Sequence, residues 1–145
     1  MSTSTVSRAV PSTPTRRLRI AISVLCTATA LVHLFLGVVT TLLVVGQPDL
    51  AATLGGTTML SVMAALFYLS FAGYVAFNVA LYRAAFHRYH RLARLALIAW
   101  AAGNVLAYVV VLRGQLDAFG LADKAAELLL IALLLIERHR LTPQG

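Results

Sequence analysis

Four long apolar runs divide the chain, at about residues 20–45, 59–82, 92–112 and 121–136. The first three are long enough to cross a hydrocarbon core of about 30 Å as α-helices that rise about 1.5 Å per residue. The uninterrupted apolar part of the fourth run is only Leu128–Ile136. It reaches spanning length by including Asp123, Lys124 and Glu127. A backbone in lipid must satisfy its own hydrogen bonds, so we predict an all-α integral membrane four-helix bundle.

Composition supports a membrane environment over a soluble one. The 145 residues are 60% hydrophobic and 12% charged, against about 45–50% and about 25% in a typical soluble domain. A single domain of this length cannot bury that much apolar surface in its own core, so much of the surface must face lipid. The net charge is +7. The basic residues stand in short clusters between apolar runs, which argues against a nucleic-acid-binding face.

The distribution of positive charge predicts the orientation in the bilayer. Ten of the 12 Lys and Arg residues lie before the first run, in the region from Arg83 to Arg94 that links the second and third runs, or after the fourth run. The exceptions are Arg113 and Lys124. Because Lys and Arg accumulate on the cytoplasmic side, both termini are expected in the cytoplasm. We predict a flexible basic tail over 1–19, the four-helix domain over 20–138 and a short C-terminal tail over 139–145, in a bacterial plasma membrane.

The most conspicuous ionisable residue within a run is His33. Spacing of three or four residues places it on one helical stripe with Cys26, Thr29 and Gly37. Ionisable groups within a span are costly and are candidates for function, here as a proton carrier, a quinone contact or a metal ligand. The structural alternative, which we favour, is a neutral histidine hydrogen-bonded across the bundle. Haem ligation by two histidines is disfavoured because no second histidine lies within a run.

A second candidate group opens the fourth run. Lys124 and Glu127 are three residues apart and can pair on one helix face, and Asp123 suits the positive end of a helix. The group is either a proton-binding or substrate-binding site or an interfacial ion pair. In the predicted topology, His33, Asn104 and Glu127 lie in the middle or outer half of the membrane. We therefore predict an outward-opening polar pocket between the first, third and fourth helices.

Polar and aromatic residues recur every four positions along two runs. The second run carries Ser70, Tyr74, Asn78 and Tyr82, and the third carries Trp100, Asn104 and Tyr108. Such stripes are expected to face the bundle interior, where amides and hydroxyls can hydrogen-bond to neighbouring helices. We expect them to serve helix packing rather than ligand binding.

Several kinds of chemistry lack a sequence signal. Cys26 is the single cysteine, so no intramolecular disulfide can form, and no zinc-type spacing of Cys and His is present. The chain has no nucleophile motif and no phosphate-binding loop. The sequence therefore predicts neither a metal nor a cofactor.

A few residues of the first half of the chain follow a known pattern: Gly37 late in the first run, and Pro48, Leu50-Ala51 and Leu54-Gly55 in the first loop. In these residues the chain resembles the small DoxX-like bacterial membrane proteins. The resemblance implies a four-helix membrane fold. Some members of that set are associated with oxidoreductase complexes, which implies a quinone-linked or redox-linked accessory role. No catalytic residue can be carried over to this chain.

Three functions are compatible with the sequence. The leading one is an accessory or interaction subunit, acting with itself as a homo-oligomer or with another membrane protein. The second is a homo-oligomeric proton-coupled transporter of small molecules, with His33 and Glu127 as proton sites. The third is a membrane-embedded enzyme or redox-linked subunit acting on a lipid, isoprenoid or quinone, with Glu127 or Asp123 as general acid.

Overall fold

The chain folds into long helices joined by short connections. The computed structural model describes residues 13–112 and 118–141. Its α-helices are α1 (Thr13–Gly46), α2 (Pro48–Thr53), α3 (Thr57–Tyr82), α4 (His90–Leu112) and α5 (Ala118–Leu141), with a 3₁₀ segment at Ala84–Tyr89. Of these, α1, α3 and α4 are long and apolar enough to cross a membrane. The prediction of an all-α fold is confirmed, and the three helices fit a multi-pass membrane protein.

The helices extend beyond the apolar runs that predicted them. Helix α1 begins at Thr13 rather than at Ile20, and α5 continues to Leu141 rather than ending at Ile136. Arginine is a good helix former, so the charged residues that flank an apolar run extend the helix while lying outside the hydrophobic pattern. Of the predicted tails over 1–19 and 139–145, residues 1–12 and 142–145 lie outside the described residues, as does the connection at 113–117 with Arg113.

The four long helices pack in a ring. Helix α1 contacts α3 and α5, and α4 contacts the same two helices on the opposite side. Neighbours run antiparallel. The start of α1 meets the end of α5 at Arg19 and Glu137. The end of α3 meets the start of α4 at Tyr82 and His90. Short connections between long helices favour this arrangement.

Glycines set two local features of the bundle. Gly55 and Gly56 adopt φ values of 135° and 92° in the turn between α2 and α3, a backbone region that side-chain-bearing residues rarely occupy. Gly73 on α3 lies directly under the indole of Trp100 on α4, so that a Cβ there would come within 2.5 Å of the ring. The missing side chain allows these two helices to approach closely.

The outer surface of the bundle is apolar. Val24 and Leu42 on α1 and Leu106 and Val110 on α4 are each more than 60% exposed. A continuous apolar exterior is unfavourable in water and is the expected surface of a protein in lipid.

Helix α5 has one charged face and one apolar face. Asp123, Glu127 and Glu137 are buried against the bundle. The outward positions of the same helix are apolar and include Leu121, Leu128, Leu129, Leu135 and Ile136. The charges that make this segment look marginal as a span are therefore turned away from the exterior.

Candidate functional site

A histidine and a carboxylate from two different helices meet inside the bundle. His33 Nε2 on α1 lies 3.7 Å from Glu127 Oε1 on α5, and the two side chains are 3% and 0% exposed. The other ring nitrogen, Nδ1, lies 2.9 Å from the carbonyl oxygen of Thr29. A carbonyl can only accept, so Nδ1 carries the hydrogen in this bond and donates it. In the neutral ring, Nε2 then presents its lone pair toward Glu127.

Both oxygens of the Glu127 carboxylate are bonded. The Tyr74 hydroxyl on α3 donates to Oε1 at 2.7 Å, and Lys124 Nζ donates to Oε2 at 2.7 Å. Burying a carboxylate is costly unless it is paired and hydrogen-bonded, and charge-assisted bonds of this kind are the strong ones. The bond from Tyr74 therefore joins α3 to α5 at Glu127, and the His33 ring of α1 lies beside this carboxylate.

Lys124 also bridges to a second carboxylate. Its Nζ lies 2.9 Å from Asp123 Oδ2, while Asp123 Oδ1 is buried and has no hydrogen-bond partner among the described residues. Two carboxylates and one ammonium give the cluster a net charge of −1 when His33 is neutral. A further positive charge would therefore be stabilised here.

A cavity of about 270 Å³ adjoins this cluster. Its polar lining consists of His33, Ser70, Asn104, Tyr108, Asp123 and Lys124, and its apolar walls include Leu36, Met63, Leu66, Phe67 and Phe119. These residues come from the second half of α1, the first half of α3, the second half of α4 and the beginning of α5. The cavity therefore lies toward the end of the bundle that is remote from Thr13 and Leu141.

The structure brings together most of the residues proposed for the polar pocket. His33, Asp123, Lys124 and Glu127 form the cluster itself. Asn104 lines the cavity, but it bonds elsewhere, since its Oδ1 accepts from Ser70 Oγ at 2.8 Å and its Nδ2 donates to the Trp100 carbonyl at 3.0 Å. Asn104 thus contributes to the wall rather than to the ionic centre.

The residues assigned to packing stripes have more varied positions. Tyr74 belongs to the cluster through Glu127, and Ser70 belongs to the cavity wall. The ring of Tyr108 lies 5.7 Å from Lys124 Nζ. Asn78 and Trp100 serve packing: Asn78 Nδ2 donates to Thr27 at 3.4 Å, and Trp100 stacks edge-on against Phe77.

A second ionic cluster at the opposite end of the bundle was missed by the sequence reasoning. Glu137 on α5 is 0% exposed and lies between Arg19 on α1 and Arg94 on α4, at 3.1 and 3.3 Å. Glu137 directly precedes the exposed basic residues at the end of α5, so it reads as part of a charged flank. The sequence does offer one signal for this cluster. Glu137 is an acidic residue at the predicted end of the bundle where the arginines are concentrated.

Three of the clustered side chains have the donor atoms of a metal site. His33, Asp123 and Glu127 each offer one ligand atom, and these atoms all lie within 4.8 Å of one another. The sequence predicted no metal because His33 lies on a different helix, far along the chain from the two carboxylates. Spacing along the sequence cannot reveal ligands that only helix packing brings together.

The site therefore combines a buried acid–base pair, a buried ion pair and an adjoining cavity. It can hold a proton or a cation, and it can hydrogen-bond the polar group of a molecule in the cavity. No family model, curated protein or solved structure matches this chain.

Proposed function

We propose that this chain is a four-span protein of the bacterial cell membrane, with both termini in the cytoplasm, and that its bundle binds a small amphipathic molecule in the cavity beside Asp123 and Lys124. The observation that carries the proposal is a cavity with apolar walls and a cluster of polar groups, set inside a bundle with an apolar exterior.

Helix α5 is the fourth span in this proposal. Its 24 residues extend about 36 Å at 1.5 Å per residue, enough to cross the hydrocarbon core. Its acidic residues point into the bundle, whereas Leu128, Leu129 and Leu135 point outward. Charged side chains within a membrane are tolerated when they face the bundle interior and pair with one another.

The orientation rests on the arginine clusters. Arg16, Arg17, Arg88 and Arg140 are exposed at the end of the bundle where α1 begins and α5 ends, which is the expected cytoplasmic side. A topology test uses single cysteines in a Cys26→Ala background, at Asp49→Cys and Arg140→Cys. A membrane-impermeant thiol reagent should label the first in intact cells and the second only after the membrane is opened. The reverse pattern would overturn the orientation.

The chemistry of the cavity defines the class of ligand. Its volume is just below the range of about 300–1,000 Å³ that is typical of sites for drug-sized ligands, so it suits one ring or a comparably small head group. The Lys124 ammonium can donate to a carbonyl or hydroxyl oxygen, and Asp123 Oδ1 can accept from a hydroxyl or amine. A molecule with a polar ring and an apolar chain matches both the walls and the polar groups, and an isoprenoid quinone is one such molecule.

Binding is measured by thermal unfolding of the purified protein in detergent. The probes are a short-chain benzoquinone, a short-chain phenol and an alkylbenzene that lacks a polar group. At least one polar-headed probe should raise the Tm by several degrees and show saturation, whereas the alkylbenzene should not. Equal effects of all three probes would indicate detergent-like partitioning and would contradict the proposal.

A pair of matched variants locates the binding. Ala107 lines the cavity, so Ala107→Phe should fill it and abolish the Tm shift. Ala99, two turns earlier on α4 and also exposed, provides the control Ala99→Phe, which should keep the shift. A shift that survives Ala107→Phe would place the ligand elsewhere.

A further inference from the structure

We propose that His33, Asp123 and Glu127 bind a divalent transition-metal ion within the bundle. This inference concerns the ionic cluster alone and does not depend on a ligand in the cavity. It rests on four observations: the spacing of the donor atoms, the bonds that orient the donors, an unpartnered buried oxygen and the charge of the cluster.

The donor atoms are close to the separation that a metal requires. All three lie within 4.8 Å of one another, whereas ligands at about 2.1 Å from a tetrahedral ion are about 3.4 Å apart. Asp123 and Glu127 are four residues apart on α5 and share one helix face. Small rotations of these side chains and of His33 close the difference without moving the helices.

Second-shell bonds already orient two of the ligands. His33 donates its Nδ1 hydrogen to the Thr29 carbonyl, which leaves Nε2 free to coordinate. Tyr74 donates to the Glu127 carboxylate. Metal-binding histidines almost always donate their second ring nitrogen to a carbonyl or carboxylate, and metal-binding carboxylates are themselves hydrogen-bonded.

One ligand oxygen has no partner. Asp123 is 8% exposed, and its Oδ1 lacks a hydrogen-bond partner among the described residues, although the side chain lines the cavity beside His33. A buried carboxylate oxygen without a donor is costly. A metal ion coordinated by Asp123 Oδ1, Glu127 Oε1 and His33 Nε2 would satisfy it.

The Lys124 ammonium competes with the metal ion for the carboxylates of Asp123 and Glu127. Its ammonium holds Glu127 Oε2 and Asp123 Oδ2, the two oxygens on the other side of the proposed metal position. The cluster carries a net charge of −1 with Lys124 present and −2 without it. Because the ammonium and the ion repel each other, Lys124 lowers the affinity for the metal and keeps the empty site folded.

The donor set selects the class of metal. One imidazole nitrogen and two carboxylate oxygens suit Zn²⁺, Mn²⁺, Fe²⁺ or Co²⁺, whereas Mg²⁺ and Ca²⁺ prefer oxygen ligands alone. Three protein ligands beside a cavity leave a coordination position open, as in catalytic rather than structural zinc sites.

The test is a titration of the full chain in detergent, purified without a polyhistidine tag and stripped with a chelator. Co²⁺ is the spectroscopic probe, Zn²⁺ the competitor and Mg²⁺ the negative control, and none of the quinone, phenol or alkylbenzene probes is added. We expect saturable binding of one Co²⁺ per chain that Zn²⁺ displaces and Mg²⁺ does not. Lack of saturable binding would overturn the proposal whether or not the cavity binds a ligand.

Single substitutions test which side chains bind the metal ion. His33→Ala and Asp123→Asn should each weaken Co²⁺ binding at least about tenfold, and Lys124→Met should strengthen it about tenfold by removing a nearby positive charge. His139→Ala, at an exposed histidine on the far end of α5, is the matched control and should bind like the unmodified chain. Binding that is lost in His139→Ala, or retained in His33→Ala and Asp123→Asn, would overturn the proposal.

Folding is followed in the same samples. Co²⁺ should raise the Tm of the unmodified chain and of Lys124→Met but not that of His33→Ala, which keeps the pair between Lys124 and Glu127 and is expected to remain folded. A Tm shift of equal size in His33→Ala would show that the ion binds elsewhere.

Discussion

Arg19 Nε lies 3.1 Å from Glu137 Oε1, which joins the beginning of α1 to the end of α5. Arg94 on α4 approaches the other oxygen of the same carboxylate at 3.3 Å. The side chains of Arg94 and Glu137 are 6% and 0% exposed, whereas that of Arg19 is 35% exposed. The buried pair carries most of the electrostatic energy because solvent screens the exposed one. Glu137 thus holds α1, α4 and α5 together at the end of the bundle where α1 begins and α5 ends.

Replacing Glu137 should destabilise the bundle strongly. Glu137→Gln leaves the Arg94 guanidinium buried without a compensating anion, which costs about 3–5 kcal/mol when one partner of a buried pair is removed. The free energy of unfolding is measured in mixed micelles by raising the fraction of a denaturing detergent.

Two controls interpret that loss. Asp49→Asn makes the same acid-to-amide change at an exposed position and should alter stability by less than about 0.5 kcal/mol. The double variant Arg94→Leu with Glu137→Leu removes both buried charges and should recover most of the stability. A double variant as unstable as Glu137→Gln would show that the cost does not arise from an unpaired arginine.

Removing the hydroxyl of Tyr74 should lower the stability of the bundle even though the aromatic ring is kept. Tyr74→Phe keeps the packing and removes the donor to Glu127 Oε1, and a hydrogen bond to a charged group contributes about 1.5–3 kcal/mol. Tyr68→Phe is the matched control, because the Tyr68 hydroxyl bonds Thr41 at 3.2 Å in an exposed position. Unfolding in mixed micelles should show a clear loss for Tyr74→Phe and a smaller one for Tyr68→Phe. Equal losses would contradict a special role for Tyr74.

Two Gly→Ala substitutions should change the stability of the bundle in opposite directions. In Gly73→Ala the new Cβ would overlap the Trp100 indole, so either the ring or the helix must shift, at a cost of about 1–3 kcal/mol. In Gly103→Ala no atom of the described part of the chain lies within 4 Å of the added carbon, and the higher helix propensity of alanine should stabilise the bundle by up to about 1 kcal/mol. The two Tm values, measured in one detergent, test the close packing of α3 on α4. A neutral Gly73→Ala would show that the indole moves freely.

Cys26 should report unfolding of the bundle. Its side chain is fully buried and donates to the Tyr74 carbonyl at 3.3 Å, so a thiol reagent should modify it only when the helices separate. Thr53→Cys in a Cys26→Ala background, at an exposed position on α2, is the matched control and should react at once. Rapid modification of Cys26 in mild detergent would mean that α1 and α3 open locally.

The sequence pattern predicts the helices well and their mutual arrangement only in part. Periodicity and length identify α1, α3 and α4 as spans, because an apolar run of more than twenty residues has few other interpretations. Helical spacing also places His33 and Thr29 on one stripe, and it pairs Lys124 with Glu127. These features depend on residues close together in the sequence.

Features that depend on helix packing could not be predicted in the same way. The bond from Tyr74 to Glu127 requires the rotation of α3 and the register of α5, and a stripe of polar residues determines neither. Glu137 was overlooked because its neighbours are basic and exposed, although its partners, Arg19 and Arg94, lie on two other helices. The grouping of His33 with Asp123 arises from the same packing.

The two-faced character of α5 has a consequence for how the protein is made. Each charge placed at the centre of a lone helix disfavours insertion by about 2.5–3.5 kcal/mol, and α5 carries several along the face that it later hides. The segment gains little by entering lipid alone. In the proposed four-span topology, its integration should therefore await the three preceding long helices, whose histidine, tyrosine and arginine side chains receive those charges. Helix α5 would then enter the bilayer as part of assembly rather than before it.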